Sequence, residues 1–197
     1  MEDILLFYST KWTIFTGNSR HLNQICSFLN KHWIRREVDE ERLQVRDVYE
    51  LALSKWRKVV FEALSANVTT AALNLIEKSR TGAEVDLSPV KVALESFVVL
   101  GTTLRPFHEP NLKLYREAFE ASYLEDTKNY FISQSQSILD SEKDFVELLT
   151  IAEDQLDIER RRARLYLHES TTKQLQSVGE MVLLRGHEKF RTRSFDG

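Results

Sequence analysis

The apolar residues of the chain recur at spacings of three and four, which is the period of an α-helix. One such stripe, between residues 47 and 64, consists of Val48, Leu51, Ala52, Val59 and Leu64. A second stripe consists of Leu22, Ile25, Cys26, Leu29 and Trp33. Ser19 precedes the second stripe as a suitable N-cap, and the Gly-Asn turn signal at 17–18 predicts a separate first helix before it.

The middle of the chain predicts two further helices with recognisable ends. Asn67 is placed to cap a helix over 68–80, and Gly82 follows where a glycine commonly ends a helix. Ser88 as N-cap and Pro89 in the first turn predict the start of the next helix. Its Phe-Val-Val-Leu run also has strand propensity, but no partner strand pattern occurs elsewhere, so a helix is expected.

The segment 102–110 holds two of the three prolines and is the best candidate for a loop and a boundary. It separates two predicted regions, 1–105 and 106–197. Residues 111–140 read as one long helix or two in line, and after a polar break a further helix ends near His168. Ser170 is predicted to start a last helix that reaches about residue 187. Long helices with short links bury their stripes against one another, so the expected fold is all-α, with stacked helical bundles.

Composition indicates an ordinary globular protein. The 197 residues are 42% hydrophobic and 29% charged, and a net charge of −3 gives no general attraction to nucleic acid. The N-terminus carries acids where a signal peptide would carry bases, and no apolar run approaches the roughly 20 residues that span a bilayer. The one cysteine, Cys26, excludes an internal disulfide. These features predict a protein of the cytoplasm and nucleus without a membrane partner.

The chemically active residues form no catalytic or metal-binding pattern. The five histidines are not spaced like metal ligands on one helix face; they are His21, His32, His108, His168 and His187. No phosphate-binding glycine loop and no hydrolase Gly-x-Ser-x-Gly motif occurs. Cys26 lies on an apolar stripe, where a buried, inert thiol is the common case. The sequence therefore predicts no enzyme activity, no metal and no cofactor.

Two basic clusters are able to contact phosphate groups. One contains Arg35 and Arg36 beside a tryptophan, and the other is the arginine-rich tract Arg160–Arg164. Acids flank both clusters, and spacings such as that of Glu159 and Arg162 predict ion pairs along one helix. Paired or solvated side chains are therefore favoured. A nucleic-acid or phosphoinositide binder remains the alternative function.

Five blocks of the sequence resemble motifs of the cullin family. The first, at 22–37, reads LNQICSFLNKHWIRRE, and the second, at 48–57, reads VYELALSKWR. The others are LIEKSRTG at 75–82, LYREAFEASYL at 114–124 and ERRRARLYLHES at 159–170. The blocks occur in the order of the family and span nearly the whole chain. The first block looks most like the cullin-one subfamily, which serves F-box proteins through a Skp-type adaptor.

The resemblance implies a stalk of cullin repeats, each a bundle of five helices. In the family, the second and fifth helices of the first repeat hold the adaptor, and the fifth corresponds to Arg46–Phe61 here. Tyr49 matches a family aromatic that faces the adaptor, and a tyrosine suits an anchor because it joins apolar area to a polar tip. Val45, Arg46 and Val48 would lie beside it, with core packing as the alternative for Val48.

The function that the resemblance implies is a non-catalytic scaffold of a cullin-RING ubiquitin ligase, which holds a substrate receptor at a set distance from the catalytic module. The matching blocks begin at what looks like the fourth helix of the first repeat and stop inside the second repeat. The second helix and the C-terminal domain that binds the RING protein are therefore expected to be absent, and the apolar stripe that the missing helices cover would be exposed. A fragment, a truncated gene product and a short paralogue that competes for the adaptor remain alternatives.

Overall fold

The computed structural model describes residues 2–39, 46–101, 111–139, 145–179 and 181, and every regular element within these ranges is a helix. The helices are numbered α1 to α7. Their bounds are Glu2–Ile25 (α1), 27–39 (α2), Val48–Arg80 (α3), Ser88–Gly101 (α4), 113–139 (α5), Phe145–Ala163 (α6) and 169–179 (α7). Helices α2, α3 and α5 each contain a π-helical turn, at Asn30–Ile34, Arg57–Phe61 and Arg116–Glu120. The all-α prediction is confirmed.

Helix α1 runs through the Gly-Asn dipeptide at 17–18 without a break. The predicted turn there, with Ser19 as the N-cap of a second helix, is wrong. Ser19 is a buried helical residue, and it continues the inward face that Trp12 and Thr16 form in the preceding turns. A glycine inside a helix costs only about 1 kcal/mol relative to alanine, and burial of the apolar face outweighs that cost.

Helix α3 is also longer than predicted. Its predicted start near Asp47 is confirmed, but Asn67 caps no helix, because α3 continues through it from Val48 to Arg80. One face of the helix after Asn67 is enclosed by its neighbours, and Val68 and Ile76 on this face are both 0% exposed. The buried face continues across the position of the predicted break, and this keeps the helix intact.

Within the described residues, α3 is long and apolar enough to cross a membrane, with a mean hydropathy of 1.4 over an 18-residue window. The expectation that no apolar run approaches such a length is therefore wrong. The criterion uses length and composition alone, and the core helix of a globular protein satisfies it as well. The part of α3 from Glu62 to Arg80 packs against α1, as a core helix does.

Gly82 ends helix α3, as predicted. It has φ 87°, a left-handed conformation that is unfavourable for residues with a Cβ atom. The amide of Ala83 donates to the carbonyl of Lys78 at 3.1 Å, and the amide of Gly82 donates to the carbonyl of Ser79 at 3.3 Å. This pair of hydrogen bonds is a Schellman motif, which satisfies carbonyl groups that the helix leaves without partners.

Helix α4 contains the Phe-Val-Val-Leu run, which is helical as predicted. Its start differs from the prediction by one residue, because Leu87 rather than Ser88 precedes the first helical turn. The carbonyl of Leu87 accepts the amide of Lys91 at 3.1 Å, and the Asp86 carboxylate accepts the amide of Ser88 at 2.8 Å. Hydrogen bonding with Ser88 holds the pKa of Asp86 below its ordinary value.

Residues 1–118 form one compact unit with an aromatic core. Tyr8 of α1 meets Trp56 of α3 and Phe97 of α4 edge-on, at ring centroid distances of 6.0 and 6.4 Å. Phe61 meets Phe97 in the same way at 4.9 Å. These contacts hold α1, α3 and α4 together. Helix α1 also packs against the first turns of α3, Val48–Trp56, which contain the predicted site.

Residues 119–197 form a second compact unit. In its core, Tyr123 of α5 meets Tyr166 edge-on at a centroid distance of 6.5 Å. Helix α6 ends at Ala163, five residues before the predicted end at His168, which is therefore wrong. The ring nitrogen Nδ1 of His168 accepts the amide of Ser170 at 3.2 Å. His168 thus caps α7, whose predicted start near Ser170 is confirmed within about one residue.

The chain passes from the first compact unit to the second between Ala118 and Phe119. The predicted boundary between 1–105 and 106–197 concerns the repeats of the family, which these units do not test, and it stays a prediction. The predicted loop at 102–110, the polar break after residue 139 and the predicted end of the last helix near residue 187 lie outside the described residues.

Candidate partner-binding site

The predicted site residues lie where helix α3 begins. Arg46 precedes the helix and is exposed, while Val48 and Tyr49 occupy its first turn and are partly buried. Val45 lies outside the described residues. Neither Val48 nor Tyr49 is enclosed in the core, so both keep surface that a partner could cover. Their contact with an adaptor stays a prediction.

Asp47 is the N-cap of helix α3. Its backbone is extended, with φ −68° and ψ 168°, and its carboxylate accepts the amide of Glu50 at 2.7 Å. Its carbonyl accepts the first helical amide, from Leu51, at 3.0 Å. The first amides of a helix have no acceptor within the helix, and such a cap is worth about 1 kcal/mol. The local sequence therefore determines the residue at which the site begins.

A second amide of this first turn is satisfied by another helix. The amide of Tyr49 donates to Oδ1 of Asn23, on α1, at 3.2 Å. The same oxygen accepts Nδ2 of Asn30, on α2, at 2.7 Å. The carboxamide of Asn23 therefore joins the end of α1, the first turn of α2 and the start of α3 beside the predicted anchor residue.

A cation lies over the ring of Tyr49. The guanidinium carbon of Arg20, on α1 one turn before Asn23, is 5.6 Å from the centroid of the Tyr49 ring. This distance is within the range of a cation–π interaction, since the face of an aromatic ring is electron-rich. Helix α1 thus contacts Tyr49 twice, once at its backbone amide and once at its side chain.

Sequence reasoning missed both Arg20 and Asn23. Asn23 falls inside the block at 22–37 that resembles cullins, but a polar residue between apolar ones looks like an ordinary surface position of a helix. Asn23 and Tyr49 are separated by 26 residues in the chain, so no pattern within a few turns reports their contact. The partly exposed carboxamide of Asn23 is recognised as a contact between helices only once the three helices are in place.

The start of α3 combines charges of both signs. Burial raises the pKa of Glu50 above its ordinary value of 4.5, and the neighbouring carboxylate of Asp47 raises it further. The positive charge of Arg46 opposes these effects and lowers the pKa of Glu50. Arg20 and Arg46 are exposed. The site therefore presents an aromatic ring with charged groups around it, an arrangement that suits an apolar interface core with a polar rim.

The second apolar stripe of the sequence faces solvent rather than the core. Ile25 is 80% exposed and Trp33 is 52% exposed. Phe28, which lies beside the stripe, is 76% exposed, whereas Ile34 is buried. Cys26 is partly buried and so is not the enclosed core thiol that its position suggested. The end of α1 and the start of α2 thus carry exposed apolar area. Such area is typical of interaction surfaces.

The two basic clusters differ in their surroundings. Arg162 Nη1 lies 2.8 Å from Oε2 of Glu159, and this confirms the predicted pair along α6. The arginines at 35–36 are exposed on α2. Part of the second cluster is therefore committed to an ion pair inside its own helix, and this leaves less charge for a phosphate ligand.

Two histidines of the described ranges have contacts that explain them without a metal or a substrate. His32 lies against Phe28 with ring centroids 4.5 Å apart, and His168 caps α7. His108 and His187 fall outside the described residues. Among the residues that the structure describes, no three histidine, cysteine or acidic side chains are grouped so as to hold a metal ion.

Comparison with known proteins connects this chain to a family. The family model of the cullin alpha solenoid domain matches residues 1–195. The Cullin-1 of Dictyostelium discoideum is 30% identical over 186 residues, which cover 94% of this chain and 24% of that protein. The Cullin-1 of Caenorhabditis elegans is 32% identical over 202 residues, which cover 100% of this chain and 26% of that protein.

A third relative, the Cullin-1 of Schizosaccharomyces pombe, is 32% identical over 194 residues, which cover 98% of this chain and 25% of that protein. The chain thus spans about a quarter of the length of the curated relatives that it matches. Since the family model covers nearly all of the chain, the protein belongs to the cullin family and is similar to its cullin-1 members.

Proposed function

We propose that the chain is part of a non-catalytic scaffold of a cullin-RING ubiquitin ligase and that it binds a Skp-type adaptor with its F-box protein. The adaptor would cover the start of α3 around Arg46, Val48 and Tyr49. Membership of the cullin family supports the scaffold role. The partly exposed Tyr49 at the start of α3 is the observation that carries the site. We further propose that the protein acts in the cytoplasm and nucleus.

Tyr49 has the properties of an interface anchor. A few aromatic or arginine side chains supply most of the binding energy of a protein interface. The backbone amide of Tyr49 is held by Asn23 and its ring lies near Arg20, so this residue would need less ordering on binding than one without such contacts. Val48 would add apolar area beside the ring, and the exposed Arg46 would add a charge at the rim.

The scaffold role requires rigidity behind this surface. The aromatic contacts among Tyr8, Trp56 and Phe97 join α1, α3 and α4 in one compact unit. An adaptor docked on the start of α3 would therefore keep a fixed orientation relative to this unit. No bond is made or broken by the chain itself, because a scaffold acts by holding its partners at a set distance.

The test measures the affinity of the purified chain for a Skp-type adaptor–F-box pair by calorimetry. Tyr49→Ala should weaken binding about tenfold or more, since truncating an anchor typically costs 1–2 kcal/mol or more. Tyr130→Ala is the matched control, because Tyr130 is a partly buried tyrosine of the other compact unit. Failure of the folded parent to bind would refute adaptor binding, and equal losses in both variants would refute the assignment of Tyr49.

A further inference from the structure

The first turn of α3 depends on two acceptors for its amides. Asp47 accepts the amide of Glu50 from within the local chain, but it does not reach the amide of Tyr49. Asn23 accepts that amide at 3.2 Å from a different helix. An unpaired backbone amide that is shielded from water is unfavourable by about 1–3 kcal/mol. The position of Tyr49 relative to α1 therefore depends on one side-chain oxygen, Oδ1 of Asn23.

That oxygen is itself held in place. Nδ2 of Asn30 donates to Oδ1 of Asn23 at 2.7 Å and lies 3.3 Å from the backbone carbonyl oxygen of Asn23. Asn30 begins the π-helical turn Asn30–Ile34 of α2. The Asn23 carboxamide is thus fixed by α2 on one side and bound to α3 on the other. A rotation of this side chain would break both contacts.

Arg20 acts on the side chain of Tyr49, whereas Asn23 acts on its backbone amide. Its guanidinium lies one helical turn from Asn23 on α1 and 5.6 Å from the centroid of the Tyr49 ring. Arg20 is exposed, so its charge is free to stay hydrated while its planar group approaches the ring face. Asn23 orients the backbone of Tyr49 and Arg20 restricts the directions that its ring can take.

We propose that Asn23 and Arg20 are positioning residues, through which α1 sets the orientation of Tyr49 for its partner. The inference rests on the proposed function, since the partner is the Skp-type adaptor. Neither residue needs to touch the adaptor in this arrangement. Their contribution to binding is made mainly through the side chain of Tyr49 and becomes much smaller when that side chain is removed.

The test is a double-mutant cycle on the whole chain. Asn23→Ala removes the acceptor and should weaken adaptor binding about fivefold, which corresponds to the loss of one hydrogen bond. Asn23→Asp keeps an oxygen acceptor and places a negative charge at the N-terminus of α3. This variant should bind the adaptor within about twofold of the parent. Arg20→Ala should weaken binding about twofold to fivefold. In the Tyr49→Ala background, each of these changes should have a much smaller effect on the affinity than in the parent.

A second readout reports the contact without a partner. The amide of Tyr49 should exchange with solvent faster in Asn23→Ala than in the parent, and Asn23→Asp should restore slow exchange. Affinity losses that add to that of Tyr49→Ala would overturn the proposal, since a general loss of stability acts in both backgrounds. A parent that does not bind refutes the proposed function by itself. Unchanged exchange in Asn23→Ala refutes the positioning role whether or not the adaptor binds.

Discussion

At the scale of single residues, Tyr8 shows how the aromatic core of the first unit accommodates a polar atom. The Ser96 hydroxyl donates to the carbonyl of Ala93 at 2.6 Å, and this uses its one hydrogen. The Tyr8 hydroxyl, 2.9 Å from Ser96 Oγ, must therefore donate to Ser96. Burial raises the pKa of Tyr8 above its ordinary value of 10.0, because a buried phenolate would lose its hydration.

Tyr8→Phe removes this donor and should lower the free energy of unfolding at pH 7 by about 1 kcal/mol. Because the folded-state pKa is raised, the contribution of protonated Tyr8 is present below the ordinary value of 10.0 and is lost as the pH rises through the folded-state value. The difference between parent and variant should therefore shrink at alkaline pH. Urea unfolding at pH 7 and above pH 10 checks this, and a difference that stayed constant would contradict it.

A buried acid has a comparable role in the second unit. Glu159 is 1% exposed, and its carboxylate accepts the Tyr123 hydroxyl at 3.1 Å and Arg162 Nη1 at 2.8 Å. Removing one member of a buried ionic network leaves the others poorly solvated. Glu159→Ala should therefore lower the free energy of unfolding by about 2–4 kcal/mol, measured by chemical denaturation.

The matched control for Glu159 is Asp157, on the same helix. Asp157 pairs with Arg160 at 3.2 Å, but its side chain is 58% exposed and hydrated. Asp157→Ala should change the free energy of unfolding by no more than about 1 kcal/mol, as is usual for a surface pair. Similar effects of the two substitutions would show that the burial of Glu159 contributes nothing to its role.

At the scale of helices, two glycines with different backbone conformations test what continues and what ends a helix. Gly17 lies inside α1, where an added Cβ would meet no atom within 4 Å. Gly82 has φ 87° and ends α3. The first glycine weakens a helix that packing maintains, while the second provides a conformation that other residues adopt at a cost.

Gly17→Ala should raise the free energy of unfolding by about 0.5–1 kcal/mol, because alanine restricts the unfolded chain and suits a helix. Gly82→Ala should lower it by about 1–2 kcal/mol, because alanine in a left-handed conformation is strained. Thermal unfolding followed by circular dichroism measures both changes. Effects of the same sign would contradict the roles assigned to the two residues.

At the scale of the whole molecule, charge separates a protein partner from a phosphate-bearing one. The net charge is −3, and Arg162 is engaged by Glu159 within α6. Nucleic-acid binding releases counterions and weakens by orders of magnitude between 50 and 200 mM salt, while an interface anchored by a tyrosine depends on salt only weakly. The affinity of the chain for the adaptor–F-box pair should therefore change less than about threefold over this range.

The same titration with single-stranded RNA and with phosphoinositide vesicles completes the comparison. Neither ligand should bind measurably at 150 mM salt, and replacing Arg35 and Arg36 by alanine should leave adaptor binding unchanged. Tight, steeply salt-dependent binding to either ligand, together with no adaptor binding, would favour the basic-patch function instead.

Features with a local cause could be predicted from the sequence. The all-α fold follows from the helical period of the apolar residues, and the end of α3 at Gly82 follows from one turn of chain. The start of α3 follows from Asp47 and the apolar residues after it. The motif blocks that led to the family also identified Tyr49 as the residue of interest. Each of these features depends either on residues within a few positions of one another or on motifs that occur in a fixed order along the chain.

Features with a distant cause were decided by the tertiary structure. Helices α1 and α3 pass through local break signals because neighbours far along the chain bury their faces. The stripe around Phe28 is amphipathic in sequence, yet its apolar side faces solvent in the described structure. The support of Tyr49 by Asn23 joins positions 26 residues apart. Turn signals and stripes report local conformational preferences of about 1 kcal/mol. Burial of apolar surface against distant helices contributes more to the free energy of folding and therefore decides which local preference prevails.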